Sequence, residues 1–466
     1  MDTFMRWYEQ RTKTMQFTVR QVPLRELEGW FFEPDTGNLV HQSGKFFRVE
    51  GVRVTTNFGT LRTWDQPIIN QPEFGILGII TQKHNGVLRF LMQAKVEPGN
   101  VNIVQLSPTL QATRSNYTQM HKGKRPHYLD YFIDRNRSHF LVDQLQPEQG
   151  SRFLAKRNRN MIVEVPENEN VPVLNDFYWL TLGQIRELLL IDNFVNMDAR
   201  SVLSCISVVE SFGDDTASLQ VEFDPASAVQ MKHVPVMGQM LSGFAKDLLV
   251  SALYREGSLH TLDDIVSWFT ELRTKYDLTV ERIPLNQVNQ WVCDEWEIRH
   301  IHHRHFSVIG VSVEANNREV GYWTQPLLKH TTFGVIGFLV KKINGVLHFL
   351  VQAKVEPGNL DAIDMAPTVS CAEAEVRALH PDLCPPFLSC FMHVSPKQIR
   401  YSAIQSEEGG RFYHFQNRYM VVEIDENENP SLPENYIWVT QRQIMLLIKH
   451  AYFNIEARSL FACLGF

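Results

Sequence analysis

No run of apolar residues in this 466-residue chain approaches the roughly 18 needed to cross a bilayer, and the polar N-terminus lacks the apolar core of a secretion signal. Neither a membrane span nor export is expected, and the cytoplasm is the default compartment. The six cysteines form no CxxC pair, and Cys205 and Cys463 stand at matching places in the two halves, as core thiols would. Basic residues do not dominate: 45 Lys and Arg against 52 Asp and Glu give a net charge of −7, which removes the usual footprint of a nucleic-acid-binding protein. Also missing are a GxGxxG opening a helix after a strand, a GxxxxGKS/T loop and a GxSxG elbow, so nucleotide redox cofactors and serine hydrolysis lose their support. His300, His302, His303 and His305 cluster, but they have no Cys or acidic companions, and their spacing puts the rings on both faces of a strand. No metal and no cofactor is expected.

What is present is a repeat. NGVLRFLMQAKVEPGN from Asn85 returns as NGVLHFLVQAKVEPGN from Asn344, with only Arg89/His348 and Met92/Val351 changed. Around it, Trp64-x-Gln66-Pro67 matches Trp323-x-Gln325-Pro326, Arg152-Phe153 matches Arg411-Phe412, Asn158-Arg159 matches Asn417-Arg418, and Ala199-Arg200-Ser201 matches Ala457-Arg458-Ser459. A period above 200 residues is a domain duplication and not a solenoid. The expected organisation is a first repeat over 1–206, a helical connector over 207–261 and a second repeat over 262–466. The connector holds Leu241, Phe244, Ala245, Leu248 and Ala252 at helical spacing, which predicts a helix packed on a domain or on a partner subunit.

In each copy the Asn-Gly pair between two apolar runs predicts a β-hairpin with a type I′ turn. Alternation sends Leu88, Phe90, Met92, Ala94 and Val96 to a core and places Gln93, Lys95 and Glu97 side by side on the other face, where Pro98-Gly99 ends the strand. MIVEV and FYWLTL read as strands, and Thr181-x-x-Gln184 and Thr440-x-x-Gln443 are capping boxes that open helices. The fold class is α+β with a mixed sheet in each half.

Solvent alone does not demand Gln over Thr or Lys over Arg, so retention of Gln93, Lys95 and Glu97 as Gln352, Lys354 and Glu356 points to a pocket, although a solvated strand end also accommodates such residues. The next segment of the first half is rich in hydrogen-bonding groups: Ser107, Thr109, Gln111, Arg114, Asn116, Tyr117 and Tyr128. Its counterpart keeps Pro367-Thr368 but has Ala372-Glu373-Ala374-Glu375-Val376 in place of Thr113-Arg114-Ser115-Asn116-Tyr117. A third candidate is the turn QPEQGSRF, holding Glu148 and Arg152, matched by QSEEGGRF with Glu407, Glu408 and Arg411. Its glycines allow close backbone approach, and its Arg suits a phosphate or carboxylate, or a structural Arg–Glu pair.

QAKVEPGN, QLSPTLQATRSNY, the QSEEGGRF turn, NRNMIVEV and NMDARSVLSC together resemble the NDP-hexose 2,3-dehydratases over nearly the whole chain. The resemblance implies a dTDP-linked 4-keto-6-deoxyhexose substrate that loses water across C2 and C3 to give a 3,4-diketo-2,6-dideoxy sugar. It further implies a tandem fold similar to Nudix hydrolases, although the acidic helix motif that holds magnesium in those hydrolases is absent. The chemistry needs a base at C3, a cation near the developing enolate and an acid for the leaving hydroxide. On that basis Glu97 is the expected base, Lys95 the cation and Tyr117 a candidate acid, with Trp64, Gln66, Gln93, Ser107, Thr109, Arg114, Asn116, Tyr128, Arg152 and Arg159 around the substrate. A second pocket is expected from Trp323, Gln325, Gln352, Lys354, Glu356, Glu407, Glu408, Arg411 and Asn417. The resemblance and the connector's apolar surface together imply a homodimer whose product passes to a 3-ketoreductase. The alternative is a silent sugar-nucleotide-binding protein with the same pocket.

Overall fold

Asn85 and Gly86 adopt φ of 51° and 76°, and Asn344 and Gly345 adopt 52° and 79°, so both expected type I′ hairpins form. The computed structural model describes residues 1–113, 125–206, 221–222, 230–231, 243–254, 256–316, 320–330, 332–372 and 384–464. Among these, the architecture is α+β with several sheets, and no helix is long and apolar enough to cross a membrane.

Each half contains a mixed seven-stranded sheet. In the first, Ile76–His84 lies between antiparallel Val87–Val96 and parallel Arg157–Val165, with His139–Pro147 and Phe177–Thr181 beyond them. In the second, Gly334–Ile343 lies between Val346–Lys354 and Gln416–Glu423 in the same way, with Ile399–Ser406 and Tyr436–Thr440 beyond. Both capping boxes are made: Thr181 and Thr440 accept from the amides of Gln184 and Gln443 and open the helices Leu182–Leu188 and Gln441–Lys449.

The halves are interlaced. Strand Phe17–Val22 of the first half pairs with Phe306–Ala315 of the second, and Leu278–Ile283 of the second pairs with Arg48–Thr56 of the first. Trp30 of the first half donates to the Thr324 carbonyl at 3.2 Å, and Trp291 of the second donates to the Asp65 carbonyl at 3.1 Å. These contacts are reciprocal, as in an isologous dimer, but they lie within one chain. One apolar core joins Phe90, Met92, Ala94 and Val96 to Phe349, Val351 and Ala353, so the core face of each repeated strand looks toward the other half. The opposite faces are covered too: Leu91 and Leu350 sit in separate outer cores under the short helices Leu129–Ile133 and Leu388–Met392.

Helices Met197–Leu203 and Ile455–Ala462 meet between the halves. Cys205 and Cys463 are buried behind them, as expected. The connector supplies helix Phe244–Leu253, whose Leu248, Leu249, Val250 and Ala252 are buried. Its Ser251 hydroxyl donates to the Leu347 carbonyl at 2.5 Å, so this face is spent on the second half; Leu241 lies outside the described residues.

Candidate functional site

The repeated strands end in backbone docking. The Gly99 amide donates to the Gly409 carbonyl at 2.7 Å and the His414 amide to the Gly99 carbonyl at 2.9 Å; in the mirror arrangement Gly358 donates to Gly150 at 2.6 Å and accepts from Ala155 at 2.9 Å. A Cβ on Gly99 or Gly358 would overlap the carbonyl oxygen of Phe412 or Phe153, which explains why both glycines recur. Each EPGN turn is thereby covered by the glutamate-glycine turn of the other half.

Beneath the first of these turns, Lys95 Nζ lies 3.2 Å from Glu97 Oε1 and donates to Gln111 Oε1 at 2.6 Å, while Gln111 Nε2 donates to Asp198. Glu97 is only 6% exposed, and its Oε2 has no partner among the described residues. Glu148, Glu408 and Lys156 complete the cluster. So many buried carboxyls cannot all ionise. Burial first, then the nearby Glu408 and Glu97, pushes the Asp198 carboxyl up to about 8. Burial first also pushes Glu148 and Glu408 up to about 7, Glu148 with Asp198 adding to the effect and Glu408 with Glu148 and Glu97. Burial draws the Lys156 ammonium down to about 8. The site therefore contains groups able to give or take a proton near neutrality.

The second cluster copies the first with changes. Lys354 Nζ lies 2.9 Å from Glu356 Oε1, and Glu456 replaces Asp198, pushed up to about 8 by burial and then by Glu356. Gln149 stands in the place of Glu408 and donates to Glu456 at 3.3 Å; Ser370 stands in the place of Gln111. Phe415 replaces Lys156, and its ring stacks on buried His330 at 3.6 Å. His330 replaces Gln71, and burial holds its ring neutral.

The turns exchange two sets of expected residues. Arg152, assigned to the first pocket from sequence, donates to His330 Nε2 at 3.1 Å and lies over Phe306, so it belongs with the second. Glu408 and Arg411, assigned to the second, lie at the first: Arg411 donates to Gln71 Oε1 at 3.1 Å and covers Phe47. Interlacing is the cause, because each turn projects across the interface. Glu407 stays in its own half, accepting from Asn417 at 2.6 Å and from Tyr419 at 3.1 Å, and Glu148 accepts from Asn158 at 2.7 Å in the same way. The structural Arg–Glu pair considered for these turns is thus replaced by a Glu–Asn pair.

Several other residues are occupied by the scaffold. Trp64 donates to Gln66 Oε1 at 2.9 Å and Gln66 to the Ser151 carbonyl at 3.1 Å; Trp323 and Gln325 repeat this onto Gly410. These pairs brace the turns. Thr109 accepts from the Ile80 amide and donates to the Leu91 carbonyl, and Ser107 donates to the Gln93 and Pro108 carbonyls. Gln352 is tied to the carbonyls of Pro367 and Thr368, whereas Gln93 is half-buried beside Lys95. The Tyr128 hydroxyl donates to the Pro172 carbonyl at 2.6 Å, and Arg159 grips Asp143 in a bidentate pair at 2.5 and 2.6 Å. Arg114, Asn116 and Tyr117 lie outside the described residues.

Sequence reasoning missed Asp198, Lys156 and the two fully buried arginines. Arg200 donates to Ser459 Oγ and the Ser406 carbonyl, and Arg458 to Ser201 Oγ and the Pro147 carbonyl, so each arginine fastens the other half's turn. The available signal was an acid two residues before both arginines, Asp198 and Glu456.

A family model described as NDP-hexose 2,3-dehydratase matches residues 1–206 and 262–464. The chain belongs to the NDP-hexose 2,3-dehydratase family. It is 46% identical over 460 residues to a dTDP-4-dehydro-6-deoxy-alpha-D-glucopyranose 2,3-dehydratase of Saccharopolyspora spinosa, covering 98% of this chain and 90% of that one. Proteins with the same description from Amycolatopsis orientalis and Streptomyces violaceoruber are 44% and 39% identical, over 98% and 99% of this chain and 89% and 96% of theirs. As a member of a dehydratase family, the protein is a carbon–oxygen lyase. The two segments matched by the family model leave out residues 207–261, the stretch that occurs once.

Proposed function

We propose that the protein removes water across C2 and C3 of dTDP-4-keto-6-deoxyglucose, yielding a 3,4-diketo-2,6-dideoxy sugar nucleotide. The observation that carries the choice of site is the charge around the Lys95–Glu97 pair: Lys354–Glu356 likewise has a carboxylate oxygen unpartnered among the described residues and a raised acid, but it faces Gln149 and Phe415 where the first pair faces Glu408 and Lys156. Glu97 takes the C3 proton, which the C4 ketone acidifies; the Lys95 ammonium stabilises the enolate oxygen electrostatically. Hydroxide then leaves C2, and the enol tautomerises to the C3 ketone. A general acid at this step contributes about 10²- to 10⁴-fold, with Tyr117 as the sequence-based candidate. Gln93, Arg114, Asn116 and Tyr128 border the sugar nucleotide in this reading.

The fold reading that accompanies it is a tandem of Nudix-like repeats, 1–206 and 262–466, joined by the connector 207–261. The pocket at Glu356 binds nucleotide without turnover, since Phe415, stacked on His330, and the amide of Gln149 stand where the first has Lys156 and Glu408. The protein works in the cytoplasm as a homodimer and passes its product to a 3-ketoreductase.

The test is incubation with dTDP-4-keto-6-deoxyglucose in D₂O, with a 3-ketoreductase and NADPH as a trap. Deuterium at C2 and a 2-deoxy product are expected from the wild type. Glu97→Gln is expected to bind the sugar nucleotide but lose both exchange at C3 and product, while Glu356→Gln keeps turnover. The opposite pattern would move the working site to the second half, and binding without product in the wild type would leave a silent sugar-nucleotide-binding protein.

A further inference from the structure

We propose that Glu408, projected across from the second half, and Asp198 act together as the proton donor that releases the C2 hydroxyl at the Glu97 site. The proposal rests on the reading of Glu97 as the base. A Cβ built on Gly410 lies 3.1 Å from Glu408 Oε1 and 3.9 Å from Glu97 Oε1, so these two carboxyls flank one spot. Asp198 reaches the same cluster from helix Met197–Leu203 and is held by the chain Lys95 to Gln111 to Asp198. The Glu97 oxygen that lacks a partner among the described residues is buried there, an acceptor left open to a ligand's polar group.

The second half keeps raised acids beside Glu356, Glu456 at about 8 and Asp364 at about 7, but lacks a carboxyl on the crossing turn. Gln149 occupies the position of Glu408 and Ser370 that of Gln111. An amide donates a hydrogen bond but does not release a proton at neutral pH. Burial and neighbouring carboxylates keep Glu408 and Asp198 protonated up to about 7 and about 8, so the pair holds a proton where a free carboxyl would not.

The protons balance. Glu97 takes the C3 proton, and the C–H electron pair becomes the C3–C4 double bond of the enolate. Collapse of the enolate forms the C2–C3 double bond and breaks C2–O, and the proton of the pair leaves with hydroxide as water. Glu97, after exchanging its proton with solvent, protonates C2 while the pair recovers a proton from the C3 hydroxyl of the enol, giving the ketone with no oxidant or reductant.

Glu408→Gln is the discriminating variant, because the matching turn already carries Gln149. We expect formation of 2-deoxy product to fall about 10²- to 10⁴-fold while exchange of the C3 proton in D₂O persists. With a 2-deoxy-2-fluoro analogue of the substrate, whose fluoride departs with less need of a proton, the loss should shrink to under about tenfold. Asp198→Asn should show the same split. Full turnover by Glu408→Gln, equal slowing of fluoride and hydroxide loss, or the same split appearing in Tyr117→Phe instead would each overturn the proposal. Persistence of C3 exchange in Glu97→Gln would sink the underlying choice of base and is read separately.

Discussion

Asp198, Glu148 and Glu456 are buried carboxyls that keep protons the unfolded chain has already lost. Their folded values are raised from 3.8 to about 8, from 4.5 to about 7 and from 4.5 to about 8, in each case first by burial. Between about pH 4 and 8 the folded state therefore binds more protons than the unfolded one, so these groups lose stability as pH rises. His300 and His348, drawn down to about 4 by burial, act in the opposite sense, but only below their ordinary value of 6.5. Above that value the carboxyls decide the sign. The thermal midpoint should fall between pH 6.5 and 8, and Asp198→Asn should flatten that slope; a midpoint that climbs across the window would contradict the burial argument. At this scale Lys95 and Glu97 were legible as a retained pair, because duplication supplied a second copy to compare. Thr109, Gln66 and Trp64 recur between the halves as well, and each is engaged in bracing the backbone, which preserves polar letters as firmly as a ligand does.

The hairpin ends and the strand ends respond differently to a methyl group. Gly86 has φ of 76° with no atom within 4 Å of a built Cβ, so Gly86→Ala should cost about 1 kcal/mol of backbone strain in urea unfolding and leave turnover intact. Gly99 is docked on the turn that carries Glu408, where a Cβ meets the Phe412 carbonyl oxygen. Gly99→Ala must therefore displace one turn from the other, and a shift of about 1 Å between reacting groups can cost about 10²-fold in rate. Measuring kcat for both variants separates the two; equal activity would mean that the crossed turn has no part in the reaction. Both hairpins could be read from Asn-Gly between apolar runs. The docking of EPGN on the opposite turn could not, because backbone-to-backbone bonds leave only glycine as their trace.

For the whole molecule, the exchanged strands Phe17–Val22 and Leu278–Ile283 and the shared core make each half part of the other's fold. Residues 1–206 alone expose the edge that Leu278–Ile283 covers and lose Glu408 from the Glu97 site, so they should yield no product. Co-expressed with 243–466, they should form a one-to-one complex on gel filtration and recover turnover. Activity from 1–206 by itself would show that the second half contributes nothing to the chemistry.

Sequence by itself determined the duplication, the α+β class, the two type I′ hairpins, the capping boxes and the family, because each is written in local spacing or in letters repeated within one chain. Tertiary structure alone decided which turn lies over which Lys–Glu pair. Arg152 crosses to the second, and Glu408 and Arg411 cross to the first, because strand exchange brings each glutamate-glycine turn over the other half's strand end. Contacts between residues 178 to 340 positions apart follow from packing against a common core, and no local pattern encodes them.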